Sequence, residues 1–480
     1  MKTILVWFRN DLRIRDNKTL SAAIAMADNI IPVYCFDPRH FEKTNHYGLP
    51  KTNSFRANFT LESVKDLRFA LQDLGGDLII RTGKPEAIVY SLAKYHEVDA
   101  VYVQEEVCRE EIEVEEQLRR NLNTIEVPLE YFWGSTLYHF DDLPMEIDLL
   151  PDMFTEFRKA VEKKANIRPT IDAPTAITIP ENIEKGDLPT LIQLGLTEPP
   201  TDRRGVLPFK GGETEALMRL KHYFWESDQL KVYKETRNGL LGADYSSKFS
   251  PWLALGCISP RTIAKEIAKY EEERTKNSST YWLIFELIWR DYFRFVCAKY
   301  GDDVFKAGGI KKDIRYATEN EVLFQKWADG ETGVPFIDAN MRELNSTGFM
   351  SNRGRQNVAS FLVKDLGLHW RMGAEYFESF LLDYDPCSNY GNWNYVAGIG
   401  NDPREDRYFN VLSQAKRYDP NGDYVKHWLP ELKALPTTRI HEPYLLNETE
   451  QTYLKVHLGK QYPKPCFDIH KWQARKKKKH

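Results

Sequence analysis

No stretch of this 480-residue sequence approaches the roughly 18 consecutive apolar residues that a bilayer-spanning helix requires. The opening MKTILVWFRNDLRIRD places charge directly after its short apolar run, which is not the layout of a secretory signal. A cytoplasmic protein without a membrane partner is the expectation. Charge of one sign is also missing: 66 Lys and Arg against 70 Asp and Glu leave −4, so the chain is not histone-like. Any nucleic-acid contact must come from a local patch. Six cysteines form no C-x-x-C pair, and their spacing suits neither a zinc ribbon nor a disulfide scaffold. They read as reduced thiols in the core, with no metal expected. The turn after the first apolar run, FRNDLRIRDN, has no glycine, which excludes the dinucleotide fingerprint. No internal repeat is visible. What the sequence does have is aromatics, 13% of residues, which serve equally for packing and for stacking on planar rings.

The first 132 residues alternate. Short β-branched runs at Thr3–Phe8, Ile30–Phe36, Asp77–Arg81, Ala100–Val103 and Thr124–Val127 read as strands. Helical patterns lie between them at Lys18–Ala27, Asn53–Leu74, Pro85–Tyr95 and Arg109–Leu122. This predicts a parallel sheet covered on both faces, with ligands beyond the carboxyl ends of its strands. Residues 133–205 carry prolines from Pro144 to Pro200 that break up regular structure, and read as a long surface connector. From 206 to 480 the pattern is helical, with 3.6-residue periodicity at Glu213–Trp225, Pro260–Glu273, Thr280–Lys299, Glu321–Asp329, Val334–Asn345, Arg353–Leu366 and Gly373–Leu382. The fold class is therefore α/β followed by all-α: 1–132, a linker 133–205, and a helical domain 206–480. The RKKKKH tail reads either as a solvated end or as a phosphate-binding arm.

Four segments concentrate polar groups in apolar surroundings. YWLIFELIWRDYFRFV, from Tyr281 to Val296, is apolar nearly all round yet carries Glu286 and Arg290 one turn apart, with Trp282 and Trp289 on the same face. The pair reads either as a structural ion pair or as charges facing a ligand cavity beside an indole. Ser246, Ser247, Lys248 and Ser250, just before Pro251, suit either a helix cap or a pyrophosphate. Asn352, Arg353, Arg355 and Gln356 open an amphipathic helix. Arg353 and Arg355 cannot share one helix face, so one could meet a carboxylate and the other a phosphate; a surface-charged helix start is the alternative. LLDYDPCSNYGNWNYVAG, residues 381–398, reads as an ordered loop without assignable chemistry.

Together these segments resemble the photolyase/cryptochrome family. WFRNDLRIRDN is similar to its N-terminal signature, and FELIWRDYFRF, TGFMSNRGRQNVASFLVKDLGLHWR and DYDPCSNYGNWNYVAGIGNDPREDRYFN to its flavin-domain motifs. TRNGLLGADYSSKFSPWLALG, Gln356, NWNYVAGIGNDPRE and YPKPCFD resemble the DASH branch in particular. The resemblance implies a Rossmann-like α/β antenna domain, a long linker and a helical domain holding FAD in a folded form. It places Tyr233 and Ser246, Ser247, Lys248, Phe249 and Ser250 at the phosphates and ribityl chain. Glu286 and Arg290 fall along the cavity and Asn352 against the flavin. Asp383, Tyr384 and Asp385 meet the isoalloxazine or adenine region, Arg355 pairs with Asp383, and Asn389 sits near flavin N5. Plant photoreceptor cryptochromes typically have Asp there, and Asn fits a flavin kept reduced.

The implied chemistry is light-driven electron transfer from FADH⁻ to a cyclobutane pyrimidine dimer in DNA. Trp289 would stack on the flipped dimer, Glu286 would hydrogen-bond its base edge, and Arg353 would hold a phosphate. Tyr395 replaces a second Trp and Gln356 replaces a Met of many duplex-acting members, which makes the pocket less apolar and points to single-stranded or looped DNA. Ser351 stands where (6-4) photolyases have His, so no (6-4) repair is expected. Trp393 and Trp370 match the two inner residues of an electron relay; position 317, the usual outer Trp, is Ala, leaving Tyr316 or Trp327 as substitutes. The DASH branch implies a 5,10-methenyltetrahydrofolate antenna, with Glu106 as its pterin-binding carboxylate. A blue-light photoreceptor is the alternative function, though no obligate protein partner is evident. A generic flavin oxidoreductase would need a nicotinamide motif, and none is present.

Overall fold

The computed structural model describes residues 1–44, 46–314, 317–402, 408–469 and 472. Part of the NDPREDR segment, Tyr316 and the RKKKKH tail lie outside the described residues.

Strands β1 (Thr3–Phe8), β2 (Asn29–Phe36), β3 (Ile79–Thr82), β4 (Ala100–Gln104) and β5 (Leu129–Phe132) form one sheet of order β3-β2-β1-β4-β5. Every pairing is parallel, as the alternation with helices α1 (Lys18–Met26), α2 (Ser54–Asp73), α3 (Pro85–Tyr95) and α4 (Arg109–Asn123) requires. Side chains alternate across β1. Leu5 and Trp7 join a closed cluster with Val89 and Leu118 of α3 and α4, whereas Ile4, Val6 and Phe8 join a core continuous with the rest of the molecule. The last strand corrects the sequence expectation. Residues 124–126 form a turn with Glu126 at φ 57°, and pairing with β4 starts only after Pro128.

The segment 133–205 is not without regular structure. It contains α5 (Phe154–Lys164), whose Phe154, Phe157 and Val161 are buried. Beyond it come α6 (Glu213–Lys221), α7 (Tyr233–Thr236), α8 (Ser250–Ala254), α9 (Pro260–Glu273), α10 (Ser278–Tyr300), α11 (Glu321–Ala328), α12 (Pro335–Thr347), α13 (Asn352–Ser360), α14 (Trp370–Phe380) and α15 (Pro386–Ala397). The pattern expected as one helix over Arg353–Leu366 is α13 followed by a π-helical turn at Phe361–Asp365. A capping box starts α10: Asn277 accepts from Ser279 and Thr280 amides while Thr280 bonds back. Ser351 caps α13 through the Gly354 amide.

Residues 381–398, expected as a loop, are mostly α15. Asp385 caps it through the Ser388 amide, Pro386 occupies the first turn and Gly398 ends it at φ 80°. Asn and Gly are poor helix formers, but Asn389, Tyr390, Gly391, Trp393 and Asn394 are buried here, and burial outweighs propensity. Gly391 is needed for close approach: a Cβ there would collide with the Phe293 ring of α10. No helix among the described residues is long and apolar enough to cross a membrane.

Candidate functional site

Two cavities flank the Tyr384–Asp385 segment. The larger, about 460 Å³, lies at the carboxyl ends of the strands, between Trp7, Arg9, Tyr34 and Glu111 on the sheet side and Arg371 and Tyr384 on the helical side. The smaller lies between α13, α14 and α15 and is lined by Asn352, Arg355, Gln356, Asp383, Asn389 and Trp393. Tyr384 and Asp385 line both.

The smaller cavity unites residues that the sequence scatters. Asp383 Oδ2 accepts from Arg355 Nη2 at 2.8 Å and from Ser250 Oγ at 2.6 Å, which joins α8, α13 and the entry to α15. Asp383 Oδ1 and Gln356 Oε1 are buried without a hydrogen-bond partner. A buried acceptor left unpaired costs about 1–3 kcal/mol, so these two oxygens ask for donors on a ligand. Asn389 donates from Nδ2 to the Ala374 carbonyl at 3.0 Å. Burial opposes the charge of Asp385, but the Arg290 and Arg294 guanidiniums and its hydrogen bonds with Ser388 hold its pKa below the usual carboxylate range. Tyr384 lies under the Arg56 guanidinium, 4.8 Å from ring centroid to Cζ.

Other expected residues take different positions. Glu286 is paired with Arg237, not with Arg290. Burial raises the Glu286 pKa, and Arg237 offsets this only in part. Arg290 instead donates to the carbonyls of Ser135 and Leu253. Lys248 is buried at φ 57°, with Nζ on the Ala243 carbonyl at 2.8 Å and 3.3 Å from the Tyr245 ring centroid. Burial, seconded by the Arg219 charge, lowers its pKa to about 6. Ser246 and Ser247 give their carbonyls to Arg219, and Tyr233 and Phe249 are buried around the same loop.

Trp289 stacks on Phe154 of α5 at 3.6 Å between centroids and 11° between planes, so one indole face is already covered. Tyr395 meets Trp289 edge-on, at 5.9 Å and 87°. Arg353 reaches Asn238 at 2.9 Å and Gln414 at 3.3 Å and lies over the Tyr418 ring. Trp393 lines the smaller cavity and contacts Phe377, which stacks in turn near Trp327. Trp370 is buried against Tyr390 and donates to the Ala307 carbonyl.

Glu106 is also placed differently from expectation. Its carboxylate is held by Arg294 of α10 and by Gln104, and it does not line the larger cavity. Glu111 does, and burial beside Glu106 raises its pKa to about 8. Sequence reasoning also missed Arg237, Arg219 and Phe154. The available signal was indirect: a buried glutamate needs a cation from somewhere, and Arg237 lies in the TRNGLLG segment.

A family profile described as "FAD binding domain of DNA photolyase" matches residues 282–480, and one described as "DNA photolyase" matches residues 4–177. The chain is 55% identical to a Cryptochrome DASH of Gloeobacter violaceus over 98% of this chain and 93% of that one. Its fold matches the crystal structure of the Synechocystis cryptochrome with a TM-score of 0.96 at 52% identity, covering 99% of each. It also matches an archaeal photolyase of Sulfolobus tokodaii, whose structure holds two FAD molecules, with a TM-score of 0.79 at 28% identity over 99% of this chain and 100% of that one.

Proposed function

The chain belongs to the photolyase/cryptochrome family, in its DASH branch, and we propose that it is a blue-light-driven photolyase that repairs cyclobutane pyrimidine dimers in single-stranded or looped DNA. The observation that carries this reading is the meeting of Asn352, Arg355, Gln356, Asp383 and Asn389 on one cavity with two orphaned buried acceptors. The Asp383 acceptor fits an N–H donor of FAD, and Gln356 Oε1 is left for a donor of the dimer, the side to which the sequence assigns it. When bound and reduced, FAD supplies on excitation the electron that splits the dimer.

The side chains prepare the site for that chemistry. Arg355 and Ser250 occupy one oxygen of Asp383 and leave the other for a ligand N–H. Asn389, tied down through its own N–H, has its amide carbonyl oxygen left for the ligand. Asp385 stays ionised between two arginines and suits the adenine end.

On the substrate side, Glu286 is a carboxyl of raised pKa that can accept from or donate to a base edge. Trp289 offers its remaining face for stacking, and Arg353 offers its guanidinium to a backbone phosphate. Extruding a base from duplex costs a few kcal/mol, and stacking returns about 1–3 kcal/mol per base. With Phe154 on one face of Trp289 and Tyr395 edge-on, the aromatic wall returns less than two parallel indoles would. Substrates that are already unpaired are therefore favoured.

Trp393 and Trp370 are assigned to electron supply. Trp327 is fully buried, so it is not suited to be the solvent-facing end of a relay. For the larger cavity we assign a 5,10-methenyltetrahydrofolate antenna. Its volume lies in the usual range for a bound cofactor, and Glu111, protonated near neutral pH, takes the carboxyl role because Glu106 is committed to Arg294.

The test presents one defined thymine dimer to the photoreduced holoprotein, in single-stranded DNA and in duplex, with dark controls. Light-dependent repair of the single strand in preference to the duplex is expected. Equal rates overturn the substrate preference. No repair of either, with reduced flavin bound, overturns the photolyase reading in favour of a photoreceptor.

A further inference from the structure

Three cysteines outside the proposed repair machinery meet in the interior. Cys108 immediately precedes α4 in the α/β domain, Cys297 lies in the last turn of α10, and Cys387 in the first turn of α15. Their Sγ atoms lie within 4.8 Å of one another, and those of Cys108 and Cys387 are 3.4 Å apart. All three are buried, with exposures of 5%, 1% and 1%. Among the described residues no His, Asp or Glu atom joins the group.

The convergence is close to that of a trigonal site, with the Cys108–Cys387 pair, at 3.4 Å, nearer together than a bound ion would set it. A metal–sulfur bond of about 2.3 Å in a trigonal plane sets sulfurs roughly 4 Å apart. Structural zinc takes four ligands, and among the described residues three sulfurs converge without a fourth His, Cys, Asp or Glu donor. Buried thiolates select soft ions, Cu(I) first among the common ones. Buried thiolates also need a counter-charge. Arg294, one turn before Cys297 on α10, is buried; it is paired with Glu106 and lies 3.8 Å from Asp385, and only its Nε–H has no hydrogen-bond partner. The ion has an entry route, because Cys108 lines the larger cavity.

We propose that Cys108, Cys297 and Cys387 form a three-coordinate thiolate site for Cu(I), set across the junction of the α/β and helical domains. Binding releases the thiol protons and leaves one cation among three thiolates. Because one ligand comes from the α/β domain and two from the helical domain, the ion ties the two together. Loading then raises the unfolding temperature as any ligand specific to the native state does.

The experiment uses the reduced holoprotein under anaerobic conditions and Cu(I) supplied as its bathocuproine disulfonate complex. Transfer of one equivalent is expected, with X-ray absorption showing three sulfur neighbours and no nitrogen or oxygen. Cys297→Ser and Cys387→Ser should each lose the transfer at the same competitor concentration, while Cys466→Ser keeps it. Absence of transfer, transfer undiminished in Cys297→Ser, or nitrogen or oxygen neighbours in the wild-type spectrum overturns the site. So does tighter retention of Zn(II) than of Cu(I). A thiol titration of the unfolded, unloaded protein separates the remaining case: six thiols are expected, and four mean that Cys108 and Cys387 form a disulfide instead. The wild-type spectrum decides the matter even if a serine variant fails to fold.

Discussion

Arg355 and Asp383 form an ion pair, Nη2 to Oδ2 at 2.8 Å, that ties the first turn of α13 to the segment leading into α15. The Asp383 side chain is 1% exposed, and its second oxygen has no protein partner. The pair thus closes the cavity and presents an acceptor to it at once.

Removing Arg355 strands a buried carboxylate. Arg355→Ala should cost about 3–5 kcal/mol of stability and strip most of the flavin from the purified protein. Denaturant unfolding and the flavin-to-protein absorbance ratio measure the two effects. Full flavin occupancy in the variant would show that Asp383 is held by Ser250 alone.

Electron supply should depend on Trp370 and not on Trp327. Trp370→Phe should abolish flavin photoreduction under blue light with an external reductant. Trp327→Phe should leave its rate unchanged, because Trp327 is enclosed by Phe324, Tyr376 and Phe377 and has no exposed edge. A loss in the Trp327 variant equal to that in the Trp370 variant would move the relay onto the Trp393–Phe377–Trp327 line.

Phe154→Ala should destabilise the protein by about 3–5 kcal/mol, since it empties a buried aromatic site. It should also weaken binding of a dimer-containing oligonucleotide, because the Trp289 indole loses the ring that holds it in plane. Fluorescence anisotropy with a labelled single strand reads the second effect.

Glu343 of α12 is fully buried beside Lys248, Arg355 and Tyr424, and burial raises its pKa to about 8. Its folded pKa therefore lies above its unfolded value, so the native state holds a proton that the unfolded chain has released. That contribution is fully present below about pH 4.5 and is lost as pH rises to about 8, at up to about 1.4 kcal/mol per pH unit. Glu343→Gln, which keeps an acceptor for the Tyr424 hydroxyl, should gain stability over the wild type between pH 5 and pH 8. Thermal unfolding of both proteins across that range checks the sign; a constant difference would mean that Glu343 stays ionised in the fold.

Strands β1 to β4 and helices α1 to α4 were legible because their signal is local: apolar runs of strand length, amphipathic periods between them, and caps at the ends. β5 was displaced by a few residues because Glu126 takes a left-handed turn that composition does not announce. α15 was hidden because its asparagines and glycine disfavour a helix until α10 and α14 bury them. Gly391 and Gly373 show that helix contact, rather than propensity, selected those residues: a Cβ at either would strike Phe293 or Trp393.

The site divides the same way. Its residue types could be read from the chain, since charges and amides inside apolar helices announce a cavity wherever they fold. Their partners could not. A one-turn spacing set Glu286 beside Arg290, but the tertiary fold brought Arg237 to the glutamate and gave Arg290 to two carbonyls. Spacing likewise said nothing of Cys108, Cys297 and Cys387, which belong to three elements remote in sequence. By itself the sequence determined the layered α/β-then-helical architecture and the inventory of chemistry, because both follow from short-range pattern. Only the tertiary structure decided which acid meets which base, which indole face is covered and which thiols converge, because those contacts join segments whose separation along the chain carries no information about their distance in space.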